Sequence, residues 1–170
     1  MPVERLVVLG VVAVAAVLDV RSRRIPNFLT FGSALAALVY HLWAAGFHGL
    51  LFSLSGWCVG VGLLLPLFLL GGMGAGDVKL LGAVGSWLGP LGVLWAGLYA
   101  VLAGGILALV VATINGYTST ALRNIWALLG FWRATGIQPL PGLTMTDAPG
   151  PRLAYGLAIA LGTLMSVWLK

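Results

Sequence analysis

Between Val78 and Asn115 the chain reads VKLLGAVGSWLGPLGVLWAGLYAVLAGGILALVVATIN, apolar almost without interruption and charged only at Lys79. As one straight helix this stretch would run roughly 57 Å at 1.5 Å per residue, nearly twice the hydrocarbon thickness of a bilayer. It must therefore turn. Gly89-Pro90 is the natural place, because proline disfavours helix in the residue before it and glycine relaxes the backbone there. The turn yields a short pass that starts at Val78 and a full pass that ends near Asn115.

The same rule extends outward from this stretch. Hydrophobic residues make up 61% of the chain and charged residues 8%, with a mean hydropathy of +1.08, which places most of it in lipid rather than water. Lipid leaves backbone N–H and C=O groups unsatisfied unless a helix pairs them internally. Further passes are expected from Leu6 to Val20, Asn27 to Ala45, Leu50 to Leu70 and Leu153 to Leu169. The expected fold class is thus all-α, a polytopic integral membrane protein with about six transmembrane helices, and residues 1–170 form a single membrane-embedded domain. The first apolar run resembles a signal peptide in length, but Arg21, Arg23 and Arg24 come after it and only Arg5 precedes it. Such flanks oppose export of the downstream chain and predict a retained helix.

Charge tests the count. Alternating sides puts Arg21, Arg23, Arg24, Lys79, Arg123, Arg133 and Arg152 on one face, and Arg5 and Lys170 on the other. The positive-inside rule makes the crowded face cytoplasmic, with both termini outside, as in a bacterial inner membrane protein. Merging the passes on either side of Gly89 would send Arg123, Arg133 and Arg152 outside. The net charge of +5 does not indicate nucleic acid, since the cations sit in short connectors instead of forming a stripe on a soluble face.

Residues 117–149 form the one long connector, with ALRNIWALLGFWRATG from Ala121 to Gly136 at its centre. Its tryptophans and arginines predict a helix lying in the cytoplasmic interface, apolar side down. Cys58 is the only cysteine, so no disulfide or zinc cluster is available, and it reads as a small packing residue.

Four acidic residues remain to be placed. Glu4 is terminal and Asp147 lies in the polar turn sequence TMTDAPG, which leaves Asp19 and Asp77 at the cytoplasmic ends of the first and fourth passes. A carboxylate at membrane depth is costly and invites a functional reading. Each also has a structural reading: Asp19 as a helix-end partner of Arg23, and Asp77 as a helix cap. Together they permit a defined chemistry. Two carboxyl groups about 3 Å apart share a proton, so one can draw a proton from water while the other hydrogen-bonds a scissile carbonyl. Peptide hydrolysis then proceeds without metal, cofactor, serine or cysteine. His41 and His48 fall in or beside the external loop between the second and third passes, across the membrane from the acids, and read as interfacial polar residues. The run GGMGAGD, Gly71 to Asp77, lets main chain approach main chain, as binding of an extended peptide requires. Non-helical backbone at that depth implies a wet cleft.

At these residues the chain resembles the type IV prepilin peptidases, members of the GxGD aspartic proteases. The resemblance rests on DVRSRRIPN, Asp19 to Asn27, on MGAGDVKL, Met73 to Leu80, and on the tail RLAYGLAIALG, Arg152 to Gly162. The tail departs at Ala154, where the family usually has proline. The resemblance implies that Asp19 and Asp77 are the catalytic pair and that Gly74, Gly76 and Lys79 shape the site around the second aspartate. It implies a prepilin or pseudopilin substrate whose basic leader is cut off at the cytoplasmic face. Longer members also methylate the new N-terminus and carry paired cysteines. Here the expectation is peptidase activity only, in the short form found in tight-adherence (Flp) pilus systems. The rival readings are a small proton-coupled transporter or channel component using Asp19 and Asp77, and a non-catalytic membrane scaffold. Oligomeric state is not legible in the sequence.

Overall fold

The computed structural model describes residues 2–140, 142–144 and 153–169. Among these the chain forms five helices and no strand: α1 Val3–Ser22, α2 Asn27–Leu69, α3 Ala75–Ile114, α4 Thr118–Thr135 and α5 Tyr155–Trp168. The all-α class is as expected, and α2 and α3 each consist of two helical arms joined across a non-helical break. By length and composition two helices, α2 and α3, rather than six, suffice to cross a membrane. The second and third expected passes join into α2, and the fourth and fifth into α3, with no loop between them. The other apolar helices are shorter or more polar. α5 has 14 residues, roughly 21 Å of helix, and α1 carries Glu4, Arg5, Asp19 and Arg21 within its 20 residues.

Both long helices are sharply bent at glycine. In α2 the break falls at Ala45 (φ −136°, ψ 17°) and Gly46 (φ 59°, ψ −144°), and in α3 at Gly89 (φ 69°, ψ −179°), next to Pro90. The chain reverses at each break. Gly49 lies so close to the carbonyl of His41 that a side chain there would collide with it, although eight residues of straight helix would separate the two by about 12 Å. Likewise Gly97 sits where a Cβ would be 3.6 Å from Cδ2 of Leu81, sixteen residues earlier. Each helix is therefore a hairpin of two arms, and Asn27, Leu69, Ala75 and Ile114 gather at one end of the bundle with the two bends at the other.

Small residues let the arms approach. Gly56 meets the backbone of Gly85, and Gly60 that of Leu81 and Gly82, where the second arm of α2 crosses the first arm of α3. Such close backbone crossings are how helices associate when the surrounding medium is as apolar as their side chains. α5 packs on the second arm of α3, with Gly162 against Ala96 and Ala100 and the Ser166 hydroxyl donating to the Gly92 carbonyl at 3.0 Å. α1 completes the bundle through a stripe of Val8, Val12, Ala15 and Ala16, spaced as one helix face. Its Glu4 accepts a 3.0 Å hydrogen bond from Tyr40 of α2. Leu80, Leu81, Val84, Val93 and Ile159 are fully buried, whereas Phe28, Trp43, Leu91 and Ile106 stand on the outer surface.

Three local expectations are corrected. His41 does not sit at an external loop but is buried, its Nε2 3.3 Å from the Trp87 carbonyl and its ring edge-on to Tyr40 and Phe52. The bend at Gly89 interrupts the helical ladder beside this carbonyl, and the imidazole N–H takes up the acceptor; His48 by contrast is exposed. Cys58 is exposed on the outer face of α2 and does not pack inside. α4 takes in the expected helix from Ala121 as far as Thr135, begins three residues earlier, leaves Gly136 outside, and buries none of its residues. Asp147, Arg152, Lys170 and much of the 117–149 connector beyond Thr144 lie outside the described residues.

Candidate active site

Asp19 continues the buried stripe of α1, one helical turn beyond Ala15 and Ala16, so the spacing that builds the α1 interface also turns its carboxylate inward. α1 ends directly afterwards. Arg23 adopts the left-handed conformation (φ 54°) and returns its backbone N–H to the Asp19 carbonyl at 2.9 Å. Ser22 donates its hydroxyl to the Leu18 and Arg24 carbonyls at 2.7 and 3.2 Å, which fixes the turn into Ile25-Pro26 and the start of α2.

Asp77 is the third residue of α3. Its Oδ2 accepts the backbone N–H of Gly74, the residue that precedes the helix, at 3.2 Å. This is half of a capping box, since glycine has no side chain to reciprocate. A Cβ on Gly74 would crowd that oxygen at 3.3 Å, and one on Gly76 would lie 3.3 Å from Cβ of Ile25. The two glycines thus have different tasks. Gly74 presents main chain to Asp77, and Gly76 admits the loop that comes after Asp19.

Asp19 and Asp77 are 7% and 6% exposed, face one cavity of about 600 Å³, and are near enough for Asp19 to act electrostatically on Asp77. Ser22, Arg23, Arg24, Asn27, Gly74 and Gly76 also line this cavity, which makes it a polar chamber at the end of the bundle. A second cavity of about 570 Å³ runs between the distal arm of α3 and α4, past Val101, Gly104, Ala108, Ala112, Ile125 and Leu128. This one is apolar. Asp77, Leu153 and Tyr155 line both, so the polar chamber and the apolar groove meet at the second aspartate.

Lys79, expected to shape the site, lines neither cavity. Its Nζ donates to Oδ1 of Asn27 at 3.0 Å and lies 5.3 Å above the Phe31 ring. It reaches the polar chamber only through Asn27. Tyr155 and Gly156 are the residues sequence reasoning left without a role. The Gly156 N–H donates to Oδ2 of Asp19 at 2.9 Å, and the Tyr155 ring packs over Gly104, where a Cβ would fall 2.7 Å from Cε2. Their signal was present in the tail motif, as a polar aromatic opening an apolar run on the same side as both aspartates. Among the described residues, His, Cys, Asp and Glu nowhere gather in threes as a metal site would need.

A sequence model described as the type IV leader peptidase family matches residues 6–109. The chain belongs to this family. The match takes in both aspartates, the Gly71–Gly76 run and the hairpins of α2 and α3 up to Leu109, and stops short of α4 and α5. No curated protein and no solved structure matches the chain. As a type IV leader peptidase family member it is a peptidase by kinship, and its apolar helices suit a membrane protein.

Proposed function

We propose that this family member is an intramembrane aspartic endopeptidase that removes the basic leader from a prepilin or pseudopilin precursor, with Asp19 and Asp77 as the catalytic pair. One observation carries the reading: two buried carboxylates from distant parts of the chain open on the same polar cavity. Burial of two such groups with a shared outlet is costly, and their mutual repulsion favours one proton held between them. The carboxylate takes a proton from water as the water oxygen attacks the scissile carbonyl carbon. The protonated partner hydrogen-bonds the carbonyl oxygen and supports the tetrahedral adduct, and a proton passes to the leaving nitrogen as the C–N bond breaks.

The two cavities supply the substrate logic. A precursor that is polar on one side of the cleaved bond and apolar on the other can lay its polar segment past Asn27 and Gly76. Its apolar segment then runs along Gly104, Ala108 and Ala112, with the bond at Asp77. We infer a multi-pass bacterial inner membrane protein, because the arms of α2 and α3 with α1 and α5 give six apolar segments whose site end carries Arg21, Arg23, Arg24 and Lys79. That end would face the cytoplasm under the positive-inside rule. The proposal is confined to the peptidase step.

Co-expression with a candidate prepilin tests this reading. Leader removal should be complete for the wild type and lost for Asp19→Asn and for Asp77→Asn, with membrane insertion intact. Undiminished processing by either variant would defeat the dyad.

A further inference from the structure

α5 begins without a cap of its own. Its N-cap residue is Ala154, whose methyl group cannot accept a hydrogen bond from the free N–H groups of the first turn. The acceptor comes from the other end of the sequence. Oδ2 of Asp19 receives the Gly156 N–H at 2.9 Å across 137 residues, in a buried setting, so α1 caps α5 in trans. The approach is close enough that any side chain here would press on Asp19. A Cβ at position 156 would stand 3.0 Å from both Cβ and Oδ2 of Asp19 and 3.3 Å from its Cγ, inside normal van der Waals contact with all three.

We propose that Gly156 is a positioning residue for the peptidase reaction, whose main-chain N–H holds the Asp19 carboxylate in its working orientation and whose missing side chain makes that contact possible. The proposal rests on the dyad reading and deepens it. α1 leaves Asp19 in its last turn, where nothing beyond Arg23 continues the helix to brace it. The first turn of α5 supplies the brace, and α5 itself is anchored along its length by Gly162 against Ala96 and Ala100 and by Ser166 on Gly92. Asp77 has its own local brace in Gly74, so each carboxylate is held at one oxygen by a backbone N–H from a glycine. A group held this way loses little entropy on reaching the reactive geometry, and a Cβ at 156 would displace it by a few tenths of an ångström.

Two substitutions in the same helix separate positioning from a general disturbance of α5. In detergent-solubilised full-length enzyme acting on a prepilin, Gly156→Ala should lower kcat by roughly 3- to 10-fold and leave KM within about 2-fold, because the peptide still binds while the carboxylate is displaced. Leu161→Ala, on the exposed face of the same helix, should leave kcat of the folded fraction near that of the wild type. If Gly156→Ala fails to insert, an ester in place of the Gly156 amide, introduced as glycolic acid by cell-free suppression, removes the donor without adding an atom. It should lower kcat in the same way. A folded Gly156→Ala or ester enzyme with kcat within about 2-fold of wild type overturns the proposal. Should Asp19→Asn or Asp77→Asn process normally, the dyad falls instead; inactive Asn variants beside a fully active Gly156→Ala sink only the positioning role.

Discussion

Ser53 donates its buried hydroxyl to the carbonyl of Ser86 at 2.8 Å, the acceptor that Pro90 leaves without its helical N–H. A proline removes the bond its own nitrogen would make four residues back, and in an apolar surrounding an orphaned carbonyl is costly. The first arm of α3 therefore borrows a donor from the second arm of α2. Replacing Ser53 by Ala should cost about 1 to 2 kcal/mol, read as a lower unfolding temperature, while cleavage at a permissive temperature continues. Equal stability of Ser53→Ala and wild type would show that the bend does not depend on this bond.

The two hairpin bends should differ in their tolerance of alanine. Gly46 and Gly89 both hold positive φ, but space is open around a Cβ at Gly46, whereas one at Gly89 would overlap the Phe52 ring. Gly46→Ala meets backbone strain alone, about 1 to 3 kcal/mol. Gly89→Ala meets strain and a collision with a ring that is itself packed on His41, so it should fail to accumulate in the membrane under conditions where Gly46→Ala does. Comparison of the two by immunoblot of membrane fractions and by unfolding of purified protein checks the order.

These bends also show how far sequence carries. Gly89-Pro90 was legible because residues 78–115 are too long for one pass and only one point in them allows a reversal. Asp19 and Asp77 were legible because carboxylates are rare in apolar sequence, and the structure brings both to one cavity. The direct joining of successive arms was not, since a reversal over one or two residues leaves no polar loop between them. His41 was misplaced for a related reason. Hydropathy sets the end of a pass but does not register that a carbonyl freed in α3, forty-six residues on, attracts an imidazole inward. Gly156 escaped because it contributes a backbone N–H, which no side-chain chemistry advertises, even though Tyr155 beside it marks the start of the helix.

Gly76 offers a test of the contact between the two motifs. With a Cβ 3.3 Å from Cβ of Ile25, alanine at 76 should push the Arg23–Pro26 turn outward and with it the end of α1. Gly76→Ala is expected to lower cleavage several-fold, and Ile25→Ala in the same chain should recover much of the loss by vacating the space. A double-mutant cycle on cleavage rate measures the coupling. Additive effects would mean that the glycine serves another purpose.

Lys79 tests whether the polar chamber contributes chemistry or only form on that side. Its ammonium binds the Asn27 amide and covers Phe31, and it lines neither cavity. A partly exposed contact of this kind contributes about 0.5 to 1.5 kcal/mol, so its loss loosens the start of α2 without unfolding the bundle. Lys79→Met keeps the apolar stem over the ring and removes the donor. It should slow leader removal by no more than about 10-fold, whereas an Asn at either aspartate should abolish it. Asn27→Ala should reproduce the Lys79→Met effect, and the double variant should add little, because both remove the same hydrogen bond. A Lys79→Met enzyme as inactive as Asp77→Asn would instead place the ammonium at the reacting groups, a position the distance to Asn27 argues against.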